Sequence, residues 1–185
     1  MRFISTRGKS PSVTAAEAIC RGLAPDGGLY VPDTLPVFSP EELERLYALP
    51  YTELSAAVLA RFLPGFPEEE LLGYTKKAYA SFDDAAVVPL HALGDGLWTM
   101  ELFHGPTCAF KDVALQILPY LLAASMKKCA DERTVVILVA TSGDTGKAAL
   151  EGFANVPGTK IGVFYPDGGV SDIQRSQMAT QSGEN

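Results

Sequence analysis

From Thr134 to Ala140 the chain reads Thr-Val-Val-Ile-Leu-Val-Ala, almost entirely apolar and rich in β-branched side chains. A run of this length is strand-sized and far too short to cross a bilayer. It does not alternate between polar and apolar residues, so it is expected to be a strand covered on both faces, as in a parallel sheet. It leads directly into Thr141-Ser142-Gly143-Asp144-Thr145-Gly146, a tight turn that opens a helix. The same alternation surrounds it. Leu97 to Phe103 reads as a strand, and Phe110 to Lys128 as a helix that Pro119 should bend. Thr145 to Asn155 is a helix, Lys160 to Tyr165 another buried strand, and Ser171 to Thr180 another helix. Strands alternating with helices predict an α/β layer on a parallel sheet. About three strands are available, whereas such sheets usually have about five or six. The layer therefore reads as incomplete, the front part of a longer enzyme.

The preceding residues are organised differently. Thr14 with Glu17 forms a capping-box pattern for a helix through Arg21, with Gly22 near its end. Pro25-Asp26-Gly27-Gly28 is turn chemistry before a short extended piece at Leu29 to Pro32. Ser39-Pro40-Glu41-Glu42 is a helix start, with proline in the first helical position. Further helices fit Thr52 to Phe62 and Pro67 to Ala80, separated by Pro64-Gly65-Phe66-Pro67. A boundary near Phe82 to Pro89 divides a mainly helical region, residues 1–88, from the α/β region, residues 89–185.

Composition narrows the function classes. The 185 residues are 47% hydrophobic and 20% charged, which supplies a core and argues against disorder. A formal net charge of −7, without long basic runs, argues against nucleic acid as a partner. Met1 to Arg7 lacks the apolar core of a secretory signal, so the chain reads as soluble and cytoplasmic, with no membrane partner. Cys20, Cys108 and Cys129 match no zinc spacing, and His91 and His104 are too few for a histidine metal cluster.

Two segments can carry chemistry. Lys111 stands at the mouth of a helix in His104-Gly105-Pro106-Thr107-Cys108-Ala109-Phe110-Lys111-Asp112. The positive end of the helix dipole would help lower its pKa and improve it as an amine nucleophile. From local sequence the alternative is a solvated surface lysine paired with Asp112. The second segment, Thr141 to Lys147, follows a strand and opens a helix, which is where free backbone N–H groups bind anions. It is not a Walker loop: only Asp144 and Thr145 separate Gly143 from Gly146, and alanine follows Lys147. It does not fit a dinucleotide fingerprint either. Cys108, Trp98 and Glu101 read as packing residues, and Gly168-Gly169 as a plain turn. An amine facing an anion cradle suits a carbonyl cofactor with a phosphate tail, and pyridoxal 5'-phosphate (PLP) is the obvious candidate.

Three motifs in order strengthen that reading. They are Ser5-Thr6-Arg7-Gly8 with Gly22 to Pro32, then Glu101 to Asp112, then Ala140 to Gly146. Together they closely resemble the threonine synthases, PLP enzymes of the tryptophan-synthase-β-like fold family. The resemblance implies that fold, in part, and conversion of O-phospho-L-homoserine and water to L-threonine and phosphate. It implies Lys111 as the catalytic, cofactor-binding lysine, held in a Schiff base. Ser142, Gly143, Asp144, Thr145 and Gly146 would lie beside the cofactor, and Thr107, Thr141, Ser142 and Thr145 would bind substrate. Asp144 stands where the wider fold family usually has asparagine. Lys147 and Arg7 are candidates for the substrate phosphate. The resemblance places a phosphate-gripping loop and a hydroxyl facing the pyridine nitrogen beyond Asn185. From this follow three expectations: these residues alone are inactive, hold PLP weakly, and self-associate through an exposed sheet edge. The alternatives are a PLP-dependent phospho-lyase of the same fold and a non-catalytic, threonine-synthase-like interaction module.

Overall fold

The computed structural model describes residues 1–185. In chain order the elements are β1 (Phe3–Ser5), α1 (Ala15–Arg21), β2 (Tyr30–Pro32), α2 (Pro40–Tyr47), α3 (Tyr51–Phe62), α4 (Glu68–Ala78), β3 (Leu90–Gly94), β4 (Leu97–Met100), α5 (Asp112–Leu115), α6 (Leu118–Lys128), β5 (Val135–Ala140), α7 (Asp144–Gly152), β6 (Thr159–Phe164) and α8 (Asp172–Ala179). They form two compact units, one of Met1–Lys77 with Tyr120–Glu132, the other of Ala78–Pro119 with Arg133–Asn185. No helix is long and apolar enough to cross a membrane.

In the first unit β1 pairs antiparallel with β2, with Ile4 opposite Val31. The loops beside this pair are knotted by Asp26. Its carboxylate accepts the Ser5 hydroxyl at 2.6 Å, the Gly28 N–H at 3.0 Å and the Lys9 N–H at 2.9 Å. These donors, Ser5 first, hold its pKa down to about 2. Gly28 cannot carry a side chain, because a Cβ there would lie 2.1 Å from Ser5 Oγ. The capping box read from sequence is present at Thr14 with Glu17, and the helix start read at Ser39 proves to be a second one, with Glu42. The helices then lock to one another. The fully buried Thr75 on α4 donates its hydroxyl to Thr52 C=O on α3 at 2.8 Å. Lys128 on α6 reaches Glu70 on α4 at 3.2 Å, and Tyr120 stacks on Tyr74.

In the second unit, β3 and β4 form a hairpin, with Leu90 opposite Met100. Asp95 and Gly96, both at positive φ, make its turn, the combination a two-residue hairpin needs. β5 and β6 pair in parallel from Val135 and Thr159 to Ala140 and Phe164. After β5, α7 buries Ala148 and Ala149, and Phe153 at its end is 1% exposed. Gly152 lets α7 press onto α5, since a Cβ there would stand 2.2 Å from the Leu115 carbonyl oxygen.

Three expectations need correction. Leu97 to Phe103 is not a strand of the parallel sheet. Only Leu97–Met100 is extended, and it pairs with a β3 strand that sequence reading passed over. The parallel sheet therefore has two strands. β5 is covered on one face only: Val136 is 58% and Leu138 68% exposed, while Val135, Ile137 and Val139 turn inward. Finally, Phe110 to Lys128 is two helices. Pro119 does not bend a helix interior; it is the second residue of α6, where a missing N–H costs little.

Candidate active site

Lys111 is the residue at the N-terminal boundary of α5. Its neighbour Asp112 does not pair with it. Asp112 is fully buried and turns back to accept the Thr107 N–H and the Thr107 hydroxyl, each at 2.8 Å. Gln116 adds a longer contact at 3.4 Å. Gly105 closes the same loop, for a Cβ there would be 2.5 Å from Asp112 Cβ. The Cys108 N–H reaches the Gly105 carbonyl at 3.0 Å, and Cys108 takes a left-handed φ of 57°. The loop is thus folded around the Asp112 carboxylate, and Lys111 is left with no carboxylate partner. Its ammonium lies over the Phe110 ring, 4.4 Å from the centroid, a cation–π contact. The surface alternative, Lys111 paired with Asp112, does not occur.

Upstream, His104 sits between two acids. Its Nδ1 is 2.6 Å from Asp83 and its Nε2 2.9 Å from Glu101. These bonds, Glu101 first, raise its pKa above the ordinary histidine value. The Asp83 N–H also donates to the His104 carbonyl at 3.0 Å.

The second segment continues β5 and opens α7. The Thr141 N–H donates to the Phe164 carbonyl at 2.9 Å, which extends the sheet register by one residue. Its Oγ1 then accepts the N–H groups of Gly143 at 3.0 Å and Gly146 at 3.1 Å, capping the helix from two residues upstream of the usual position. The first two amides of α7, on Asp144 and Thr145, have no partner within a helix turn. The hydroxyls of Ser142 and Thr145 make no hydrogen bond within the chain. Gly143 takes a φ of 146°, a conformation that favours glycine, and Gly146 is closely packed. A Cβ on Gly143 would fall 2.4 Å from the Gln174 amide, and one on Gly146 2.5 Å from Thr141 Cγ2. Gln174 on α8 donates to Asp144 Oδ1 at 2.7 Å while its own oxygen accepts from Ser171.

Of the remaining predicted residues, Lys147 is engaged by Glu151 at 2.9 Å and by Gln181. Arg7 belongs to the first unit, where it donates to the Asp26 carbonyl at 3.1 Å. Sequence reading did not single out Asp112, Gln174, or the Asp83–His104–Glu101 group. Gln174 had a visible signal, since it stands three residues after Ser171 as a capping box requires. Asp83 had none, because its partner His104 lies far along the chain.

Lys111 thus offers an amine free of ion pairs, and the mouth of α7 offers unpaired backbone amides and hydroxyls that suit an anion. Comparison with known proteins shows what the chain is similar to. Residues 2–79 match the family described as threonine synthase N terminus. The threonine synthase of Pseudomonas aeruginosa is 44% identical over all of this chain and 39% of its own length. Threonine synthase-like 2 of Rattus norvegicus is 40% identical over all of this chain and 38% of its own length. The crystal structure of PLP-bound threonine synthase from Brucella melitensis superposes with a TM-score of 0.89 at 40% identity, over 96% of this chain and 38% of that one. The chain is similar throughout to the amino-terminal portion of threonine synthases. It spans about two fifths of the length of the curated relatives it matches.

Proposed function

We propose that this chain takes part in a threonine synthase reaction, in which O-phospho-L-homoserine and water become L-threonine and phosphate with PLP as cofactor. The observation that carries the proposal is Lys111. It is held at a helix mouth by the buried Asp112–Thr107 contact and kept out of any ion pair, in a chain related throughout to threonine synthases. The residues suit PLP: an unpaired amine for its aldehyde, and a turn with free N–H and O–H donors for an anionic substrate.

In this reading the chain contributes to the tryptophan-synthase-β-like fold, with residues 1–88 preceding the cofactor-binding region that begins at residue 89. Bound PLP supplies an electron sink. The Lys111 amine takes and returns protons at the substrate α and β carbons. The mouth of α7, from Ser142 to Gly146, holds the substrate carboxylate and borders the cofactor. Thr141 accepts two N–H groups and still has its O–H to donate. Thr107 gives both of its donors to Asp112, so its part is to hold the loop beneath Lys111. Asp144 receives the Gln174 amide, which fixes its carboxylate at the mouth of α7. Lys147 and Arg7 both have other partners, and Lys147 is the better placed of the two for phosphate because it lies on α7 itself. The setting is cytoplasmic, and the exposed face of β5 favours self-association of these 185 residues.

In the intact enzyme, borohydride reduction with PLP should tether the cofactor to the peptide containing Lys111, and Lys111→Ala should abolish tethering without loss of fold. Tethering at Lys147 or Lys160 would overturn the assignment. With O-phospho-L-homoserine as substrate, phosphate release without threonine would instead indicate a phospho-lyase.

A further inference from the structure

His104 opens the lysine-bearing loop, and both of its ring nitrogens face carboxylates, Asp83 at 2.6 Å and Glu101 at 2.9 Å. An ionised carboxylate can only accept hydrogen bonds, whereas a neutral imidazole has one donor and one acceptor nitrogen. A neutral ring would aim a lone pair at one of the two acids. Only an imidazolium, donating from both nitrogens, satisfies this arrangement. We infer that His104 is a proton-dependent latch that positions the Lys111 loop, closed as the imidazolium between Asp83 and Glu101 and loosened when the ring loses its proton.

The connection to Lys111 is short and continuous. The His104 carbonyl is held by the Asp83 N–H, so the latch fixes backbone as well as side chain. The next residue, Gly105, packs directly on Asp112, and Thr107 gives Asp112 both its donors. Asp112 immediately follows Lys111. The loop is therefore pinned at one end by His104 and at the other by Asp112. The uncharged Phe103 also lies against the ring, with ring centroids 4.6 Å apart. Asp84 turns its carboxylate to the Ala86 N–H at 2.7 Å, so the ionisable groups facing the ring are Asp83 and Glu101.

The sign follows. The histidine binds its proton more tightly in the folded chain, so the stabilisation is full below the unfolded value of about 6.5 and is lost as pH rises through the higher folded value.

The test is nitrogen-resolved NMR of the His104 ring in the 185-residue chain, alone and with Asp83→Asn and Glu101→Gln. Both ring nitrogens should carry protons at pH 7. Glu101→Gln should weaken proton binding about tenfold. Asp83→Asn, with its more exposed acid, should weaken it less, and the double variant should titrate near the ordinary value. In the unsubstituted chain the amides from Gly105 to Asp112 should shift with the same midpoint as the ring. A neutral ring at pH 7, or loop amides that ignore the ring's titration, would overturn the latch.

Its bearing on PLP rests on the reading of Lys111 above. The rate of PLP trapping at Lys111, taken as a ratio of the unsubstituted chain to the double variant, should approach one above the ring's midpoint. A ratio that stays constant through the midpoint overturns the latch as a positioning device. A ring and loop that titrate as expected, with no PLP trapped at Lys111 of the intact enzyme, leave the latch standing and remove the cofactor assignment.

Discussion

Two loops in this molecule are folded around an aspartate, and they use it to different ends. Asp26 gathers the Ser5 hydroxyl and two backbone N–H groups, with Gly28 pressed against Ser5. Asp112 gathers the hydroxyl and N–H of Thr107, with Gly105 pressed against it. The device is the same: a carboxylate satisfied by a nearby hydroxyl residue, and a glycine where no Cβ fits. Around Asp26 the nearby cation is also tied down, since Arg7 donates to the Asp26 carbonyl. Around Asp112 it is not, and Lys111 is left over an aromatic ring. The first arrangement closes a structure. The second uses the same closure and leaves one amine unpaired.

The comparison can be broken most severely at Asp112. Asp112→Ala removes two charge-assisted acceptors from a buried site and should cost about 3–5 kcal/mol. Residue-resolved hydrogen exchange should show the loss around α5 and α7, with the Asp26 knot retaining its protection. Equal loss in both places would mean that the two loops are not independent. Gly152→Ala drives a Cβ into the Leu115 carbonyl and should cost about 2–3 kcal/mol, read as a lower denaturant midpoint. Thr14→Ala removes the α1 cap and should cost about 1 kcal/mol, confined to the first unit.

Acid titration separates the loops differently. The Asp26 pKa is depressed, so its contribution is present above the unfolded value of about 3.9 and is lost as pH falls through about 2. Asp26→Asn should flatten that acid limb. An unchanged limb would show that Asp26 does not govern it. Leu138→Lys on the exposed face of β5 should change stability by no more than about 0.5 kcal/mol. It should nevertheless reduce self-association in sedimentation. A large stability loss would show that this face is packed in solution.

Where local chemistry decides structure, sequence reading reached the right elements. The capping boxes at Thr14 and Ser39 contain both partners within four residues, so their helix starts were legible. The β5–turn–α7 unit was legible because an apolar run followed by small residues admits few other conformations. The Asp95-Gly96 hairpin was legible in principle and missed, because its strands lack a clean alternation. Pro119 was misread because proline marks either the inside of a bent helix or the start of a new one, and the residues beside it fit both.

The sequence by itself determined where helices begin, where the chain must turn, and which lysine stands at a helix mouth, since each depends on residues a few positions apart. Tertiary structure alone decided the partners. Asp112 faces Thr107 and not Lys111, Asp83 meets His104, and Gln174 rests on Gly143. Those choices depend on which segments packing brings within about 3 Å, the range over which a hydrogen bond or a missing Cβ matters.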